Sequence, residues 1–255
     1  MYQFFVEEEN VSGTEIIIRG SDVRYIRNVI RLRCGEQIRV STPSENYLGR
    51  IGEVSEHFVR VQIVADKIGG TELSSHIVLF QGLPKGDKME LIVQKAVELG
   101  VSGIVPVAMK HCVVRLDDKK AKAKSARWQS IAENAARQAK RSVIPRVAYP
   151  MEFAQAADAA MKLDHRLVPY ENENGMRGTK EALSRITPGS SVGIFIGPEG
   201  GFAAEEIAMV KDRMRLISLG KRILRTETAG IAALAVLMYH LETEQEEWQN
   251  AGISG

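Results

Sequence analysis

Cys34 and Cys112 are the only cysteines in the chain. Two thiols are too few for a disulfide scaffold and point to a reducing cytoplasm. The five histidines show neither H-x-x-x-H nor C-x-x-C company, so no protein-bound metal is expected. The start, "MYQFFVEEEN", lacks the basic and apolar regions of a signal peptide. Uncharged runs such as Thr228–Tyr239 fall short of the roughly 20 residues of a membrane span. Glycine loops are present, yet neither G-x-x-x-x-G-K-[ST] nor G-x-G-x-x-G occurs. This excludes a P-loop NTPase and, with no acid about 20 positions after such a loop, disfavours a nicotinamide dehydrogenase.

What is present is a soluble globular balance, 44% hydrophobic and 26% charged, over 255 residues. Net charge is only +2, but it is unevenly placed. Nine basic residues against Glu133 alone lie between Lys119 and Arg146, while acids collect at Glu7–Glu9 and Glu242–Glu247. A concentrated positive face is the footprint of a polyanion partner, the plainer alternative being a solvated helix face.

Up to about residue 70 the pattern is short strands bounded by Gly, Pro, Asn or Ser: "FFV", "EIIIR", "EQIRV", "YLGRIGEV" and "FVRVQIV". One helix interrupts them, "SDVRYIRNVIRLRCG", with Ser21 or Asp22 as N-cap and Gly35 beyond its end. Val23, Ile26 and Ile30 mark one face of it, and Arg24, Arg27 and Arg31 another. This reads as a small β-barrel carrying a basic helix, followed by a polar linker at 66–75. Beyond it, strands at 76–82, 103–107, 165–170, 191–197 and 215–220 alternate with helical patterns at 89–99, 124–140, 151–162 and 203–213 and a last apolar helix. Apolar strands between helices imply an α/β fold, a mostly parallel sheet with helices on both faces. Met89, Leu91 and Ile92 read as core, and Trp128 as either core or a base-stacking residue.

Ligands of such sheets bind beyond the carboxyl ends of the strands. Three ends are unusual: "VPYENENG" at 168–175, "IGPEGG" at 196–201 and "SLGKRILRTET" at 218–228. Their glycine turns can read an adenine edge while Leu219, Ile223 and Leu224 cover its faces. Glu199 or Glu227 would repel phosphate but tolerate a cation. S-adenosylmethionine, with an adenosine, a sulfonium and no phosphate, meets that description.

The blocks "LPKGDKMELIVQKAVELGVSGIVPV", "RWQSIAENAARQAKRSVIP", "IGPEGGF" and "SLGKRILRTETAGIAAL" resemble the RsmE family of 16S ribosomal RNA methyltransferases, of the SPOUT class. The likeness covers nearly the whole chain, and "IRNVIRLRCGE" is similar to that family's barrel helix. The resemblance implies a PUA-like RNA-binding barrel over 1–70 and a trefoil-knotted SPOUT methyltransferase domain over 74–248. It implies methylation of N3 of one uridine near the 3′ end of 16S rRNA, on free RNA or on the small subunit. Carried over residue by residue, the cofactor pocket falls on Ile196, Gly197, Gly200, Gly201, Leu219, Gly220, Ile223 and Leu224, with Tyr170 and Glu171 in the loop after a strand. Gln3, Arg24 and Tyr25 depart from the family pattern, in which arginine and paired histidines are frequent.

Methyl transfer to N3 needs an unpaired uridine, a lost proton and an aligned methyl carbon. Arg225 is the candidate to stabilise the uracil anion, or else pairs with Glu227. Glu227 or Glu199 accepts the proton, or Thr226 and Glu227 cap the last helix. Arg127, Arg137, Lys140 and Arg141, with Arg24, Arg27 and Arg31, are the candidates for RNA phosphates. "AGIAALAVLMY" at 229–239 is uncharged all round, so a homodimer is expected to cover the face its own sheet leaves open. The competing reading is a ribosome-associated RNA-binding assembly factor of the same fold that has lost catalysis.

Overall fold

Alternation of apolar and polar side chains builds the first of two sheets. The structure, a computed structural model, describes residues 1–173 and 175–250, with side chains through 246, and divides into two compact units. Asn174, within the 168–175 stretch, lies outside the described residues. Among the described residues no helix is long and apolar enough to cross a membrane.

The first unit holds Met1–Glu72 together with Ala136–Ile144, a segment the linear reading places at 74–248. Its strands are β1 (Gln3–Phe5), β2 (Val11–Ser12), β3 (Glu15–Arg19), β4 (Gln37–Ser41), β5 (Asn46–Val54) and β6 (Phe58–Ala65). They run in the order β1-β4-β5-β6-β3-β2, antiparallel except for β1 beside β4, and curl into a half-barrel. Ile16, Ile18, Ile38, Val40, Ile51, Val59 and Val61 are buried in its core. Register shifts on β5 at Leu48/Gly49 and Ile51/Glu53 bend that strand. Gly49 is required there, because a Cβ would stand 2.2 Å from a methyl of Val61.

The basic helix differs from its expected form. Helix α1 (Ser21–Arg24) starts after Gly20, with no side-chain cap bond, and widens at once into π-helical turns over Tyr25–Ile30. It ends at Arg31, which is left-handed at φ 55°, well before Gly35. The wider turn changes the angular phase, so Val23 and Ile26 are buried but Arg31 leaves the helix that carries Arg24 and Arg27. The polar 66–75 stretch is anchored in part rather than free. Arg39 donates to the Gly69 carbonyl and Thr71 to that of Lys140.

Arg137 and Arg141 are occupied by protein acids. Arg137 grips Asp22 through both terminal nitrogens at 2.7 and 3.2 Å and lies 5.9 Å over the Phe5 ring. Arg141 is only 4% exposed. It binds the Glu72 carboxylate, which also accepts from the Ser142 N–H at 2.8 Å, and the buried Gln3 amide donates to the Arg141 carbonyl. The expected role of Arg141 in holding RNA phosphate is therefore corrected: its guanidinium is buried against an internal carboxylate.

The second unit, Leu73–Ala135 and from Pro145 onward, is built on β7 (His76–Gly82), β8 (Gly103–Ala108), β9 (Arg146–Val147), β10 (Met151–Glu152), β11 (His165–Pro169), β12 (Ser191–Ile196) and β13 (Arg215–Ile217). Every pairing is parallel, in the order β10-β8-β7-β12-β11-β13 with β9 also on β8. The helices are α2 (Lys88–Glu98), α3 (Asp118–Gln138), α4 (Phe153–Ala160), α5 (Arg177–Leu183), α6 (Ala204–Val210) and α7 (Thr226–Asn250). The central strands are apolar on both faces, as a covered parallel sheet requires, and Phe80 stacks on Phe195 at 4.3 Å. Trp128 is buried, while Leu91, read as core, is 42% exposed because α2 turns Met89, Ile92 and Val93 inward instead. Helix α7 buries Ala233, Leu234, Leu237 and Leu241 but leaves Val236 and Tyr239 exposed.

Replacing Arg141 by Met should destabilise the first unit by roughly 2–3 kcal/mol, since it strands a partly buried carboxylate. Urea denaturation measures this. Unchanged stability together with weakened RNA binding would restore Arg141 as a phosphate contact.

Candidate functional site

The strand order reverses between β7 and β12, and β12 lies between β7 and the earlier strand β11. The chain leaving β11, β12 and β13 therefore emerges side by side at one edge, the crevice where open parallel sheets hold ligands. There the turns 169–171, 196–202 and 218–226 enclose a cavity of about 380 Å³. Strand β13 stops at Ile217, earlier than the expected 220, because Ser218–Gly220 turn away to form its wall.

Tyr170, Glu171, Ile196, Gly197, Gly201, Leu219, Gly220, Ile223 and Leu224 all border this cavity, as do Glu199 and Arg225. Gly200 does not. Its carbonyl accepts from His111 Nδ1 at 2.9 Å, and a Cβ on it would stand 2.9 Å from His111. Ile223 is a rim residue, 87% exposed, rather than an inner wall. Gly197 is glycine for a packing reason, since a Cβ would lie 3.2 Å from Gly201 and 3.3 Å from Phe202. At Gly220, φ +107°, a Cβ would meet nothing within 4 Å.

Two polar contacts of the buried Thr226 hydroxyl shape the walls. Thr226 Oγ1 donates to the Gly197 carbonyl at 2.6 Å and accepts from Gln81 Nε2 at 2.9 Å. The hydroxyl thus ties the start of α7 to the turn after β12 and the end of β7, and it is not spent on capping α7. The first helical bond instead runs from the Ala229 N–H to the Arg225 carbonyl at 2.8 Å. Gln81 is fully buried, and sequence reasoning passes over it, although a lone amide inside "HIVLFQG" is its signal.

Sequence reasoning also misses Lys88. Its ammonium lies 2.9 Å from Glu199 and 3.3 Å from Glu227. A lysine in the first turn of a helix opposes the helix dipole, and that anomaly in "KGDKMEL" is the readable sign of acids nearby. Glu227 pairs with Lys88, and Arg225 has no ion pair among the described residues, so the alternative Arg225–Glu227 pair is not formed. Glu199 feels burial pushing its carboxyl upward. The Lys88 hydrogen bond and the N–H groups of Glu199 and Lys85 outweigh it and hold it below its ordinary value. The Glu199 hydrogen bond, against burial and with help from Glu227, raises Lys88. Ionised Glu199 is therefore a weakened base. Lys221, Arg222 and Arg225, all exposed, give the mouth a cationic rim.

None of the remaining basic candidates is among the residues that border this cavity. Arg24, Arg31 and Lys140 are exposed in the first unit, where Arg27 pairs with Glu56. Arg127, on α3 in the second unit, holds Glu90 through Nη2 at 2.8 Å.

Residues 71–238 match the RNA methyltransferase domain family. The chain is similar to ribosomal RNA small subunit methyltransferase E of Bacillus subtilis, 35% identical over 95% of this chain and 98% of that one. The protein of that name from Mesomycoplasma hyopneumoniae is 32% identical over 92% and 97%. Among solved structures, ribosomal RNA small subunit methyltransferase E of Neisseria gonorrhoeae bound to S-adenosylmethionine superposes with TM-score 0.80 at 31% identity, covering 94% and 97% of the two chains.

The Lys88–Glu199 pair predicts a pH signature. Lowered Glu199 contributes stability above its ordinary 4.5 that disappears as pH falls through its folded value. Raised Lys88 contributes stability below its ordinary 10.5 that disappears as pH rises through its folded value. Lys88→Met should therefore destabilise most between these limits, and the difference from wild type should shrink in acid. Urea denaturation at stepped pH checks it, and a difference constant through the acid range would remove the pair from the account.

Proposed function

Because the chain belongs to the ribosomal RNA small subunit methyltransferase E family, we propose that it transfers a methyl group from S-adenosylmethionine to N3 of one uridine near the 3′ end of 16S rRNA. The observation that supports this most is the single cavity formed where the β11, β12 and β13 turns converge. Its volume lies within the range of small-molecule sites. Its walls fit the cofactor: Ile196, Leu219 and Leu224 are apolar, Gly220 leaves open space where a side chain would stand, and Glu171 has no ion pair among the described residues. Glu171 is then the carboxylate available to a cationic group, whereas Glu199 and Glu227 are already engaged by Lys88.

S-adenosylmethionine supplies a methyl group activated by its own sulfonium. The chain's residues must hold the uridine out of pairing, align N3 and stabilise the anion left when the imide proton departs. Arg225, exposed at the cavity mouth and free of acid partners among the described residues, serves the last purpose. Glu199 borders the cavity and Glu227 does not, so Glu199 is the nearer proton acceptor, though a weak one. Lys221 and Arg222 add positive charge where an RNA strand must enter.

The same proposal assigns RNA contacts to Arg24, Arg27, Arg31, Arg127, Arg137 and Lys140, a PUA-like role to the half-barrel over 1–70, and a knotted SPOUT path to 74–248. It places the reaction in the cytoplasm, where small subunits are assembled. It makes the working unit a homodimer, with Val236 and Tyr239 of α7 covered by a second copy. Sedimentation of Val236→Glu should show a monomer where wild type is a dimer; a wild-type monomer would sink that part.

Incubation with unmethylated small subunits and S-adenosylmethionine, followed by nucleoside mass spectrometry, should give 3-methyluridine at one position. A ribose methyl or no product would overturn the reading. In the same assay Arg225→Ala should lower kcat by roughly 10²- to 10³-fold with cofactor affinity unchanged. Full activity would dismiss the arginine.

A further inference from the structure

Strands β11 and β13 carry the large cavity at their carboxyl ends, and their opposite ends open onto a second cavity of about 140 Å³. Its walls include Arg166, Arg185, Arg213 and Arg215, with His165 beside them. The acids among the residues that line it are Asp164 and Glu181.

Two carboxylates do not balance four guanidinium groups, and both are shared with other partners. Asp164 accepts from the Ser191 N–H at 2.8 Å and from its hydroxyl at 2.6 Å, and that hydroxyl bond leads the causes holding its carboxyl below the ordinary value. Glu181 is divided between Arg177 at 3.0 Å and Arg215 at 3.9 Å. Arg213 leans on exposed Asp158 at 3.4 Å. Two arginines then remain without an ion pair among the described residues, although the charge of Arg166 helps to hold the nearby Asp164 carboxyl down. Arg166 donates one terminal nitrogen to the Leu163 carbonyl at 2.5 Å, while its Nε is buried with no hydrogen-bond partner. The Arg185 guanidinium has no hydrogen bond or ion pair among the described residues.

A buried N–H without an acceptor is unfavourable unless a ligand supplies one. Converging planar forks of excess positive charge select an anion with several oxygens arranged in space. We propose that this cavity binds a phosphate group, with Arg166 and Arg185 as its principal ligands. Strand β13 is the sheet edge, and its three residues span roughly 10 Å. A phosphodiester held here lies on a strand of RNA whose next few nucleotides reach the methyl-transfer cavity, an assignment that rests on the proposed function. Free inorganic phosphate is the other source of the same chemistry.

Two measurements on the full-length chain separate these sources, using Arg185→Gln, an exposed position whose change leaves the fold intact by circular dichroism, and Arg166→Gln. First, inorganic phosphate at matched ionic strength should raise the thermal midpoint of wild type, and either variant should lose that rise. Second, binding of a 16S rRNA fragment should show a log K against log salt slope smaller by about 0.7 in each variant, the value for one single-strand phosphate no longer neutralised, with S-adenosylmethionine affinity unchanged. A changed slope assigns the site to the RNA backbone. A lost phosphate response with an unchanged slope assigns it to free phosphate, and stands whether or not the chain methylates RNA. Neither effect would overturn the site.

Discussion

One hydroxyl sets the geometry on which the site depends. Thr226 stands between the Gln81 amide and the Gly197 carbonyl, both at hydrogen-bond distance, with Thr226 and Gln81 buried. Each of its partners closes a different strand, and Thr226 itself opens α7. The turn after β12 and the loop before α7 form facing walls of the cavity, so their spacing is fixed by this single bridging oxygen. The Gln81–Thr226 contact is buried, and breaking it would leave one N–H of the Gln81 amide unsatisfied.

Charge is arranged around that frame in two layers. Beside the cavity Lys88 joins Glu199 and Glu227, so two carboxylates there share one cation. At the mouth Lys221, Arg222 and Arg225 lack such acids among the described residues. Under the proposed function a cationic cofactor group goes toward Glu171 and a polyanion to the rim, while two carboxylates against one ammonium leave the interior negative and closed to phosphate. A loop of glycine and carboxylate thus serves a ligand with no phosphate while standing next to one made of phosphates.

Much of this was legible in the sequence. The parallel strands announce themselves as continuous apolar runs, and "IGPEGG" and "SLGKRILRTET" mark ends where the chain must turn tightly. What the sequence hid was pairing at a distance. Lys88 and Glu199 are 111 residues apart, and nothing in local spacing links them. Gln81 and Thr226 are separated by 145. Arg141 looked like part of a basic stripe because its partner Glu72 lies in what read as a linker. Arg31 was misplaced because helical phase was counted at an α-helical turn through residues that wind more widely. Charge runs reveal electrostatics only after their acids have been located in space.

Calorimetric titration of S-adenosylmethionine against wild type, Thr226→Ser and Thr226→Val tests the central claim most directly. Serine keeps the bridging oxygen and should bind like wild type. Valine keeps the volume but removes both hydrogen bonds, and it should weaken binding by about tenfold or more while the sheet remains folded. Valine binding as tightly as wild type would show that the cavity is not held by this contact and would contradict the account.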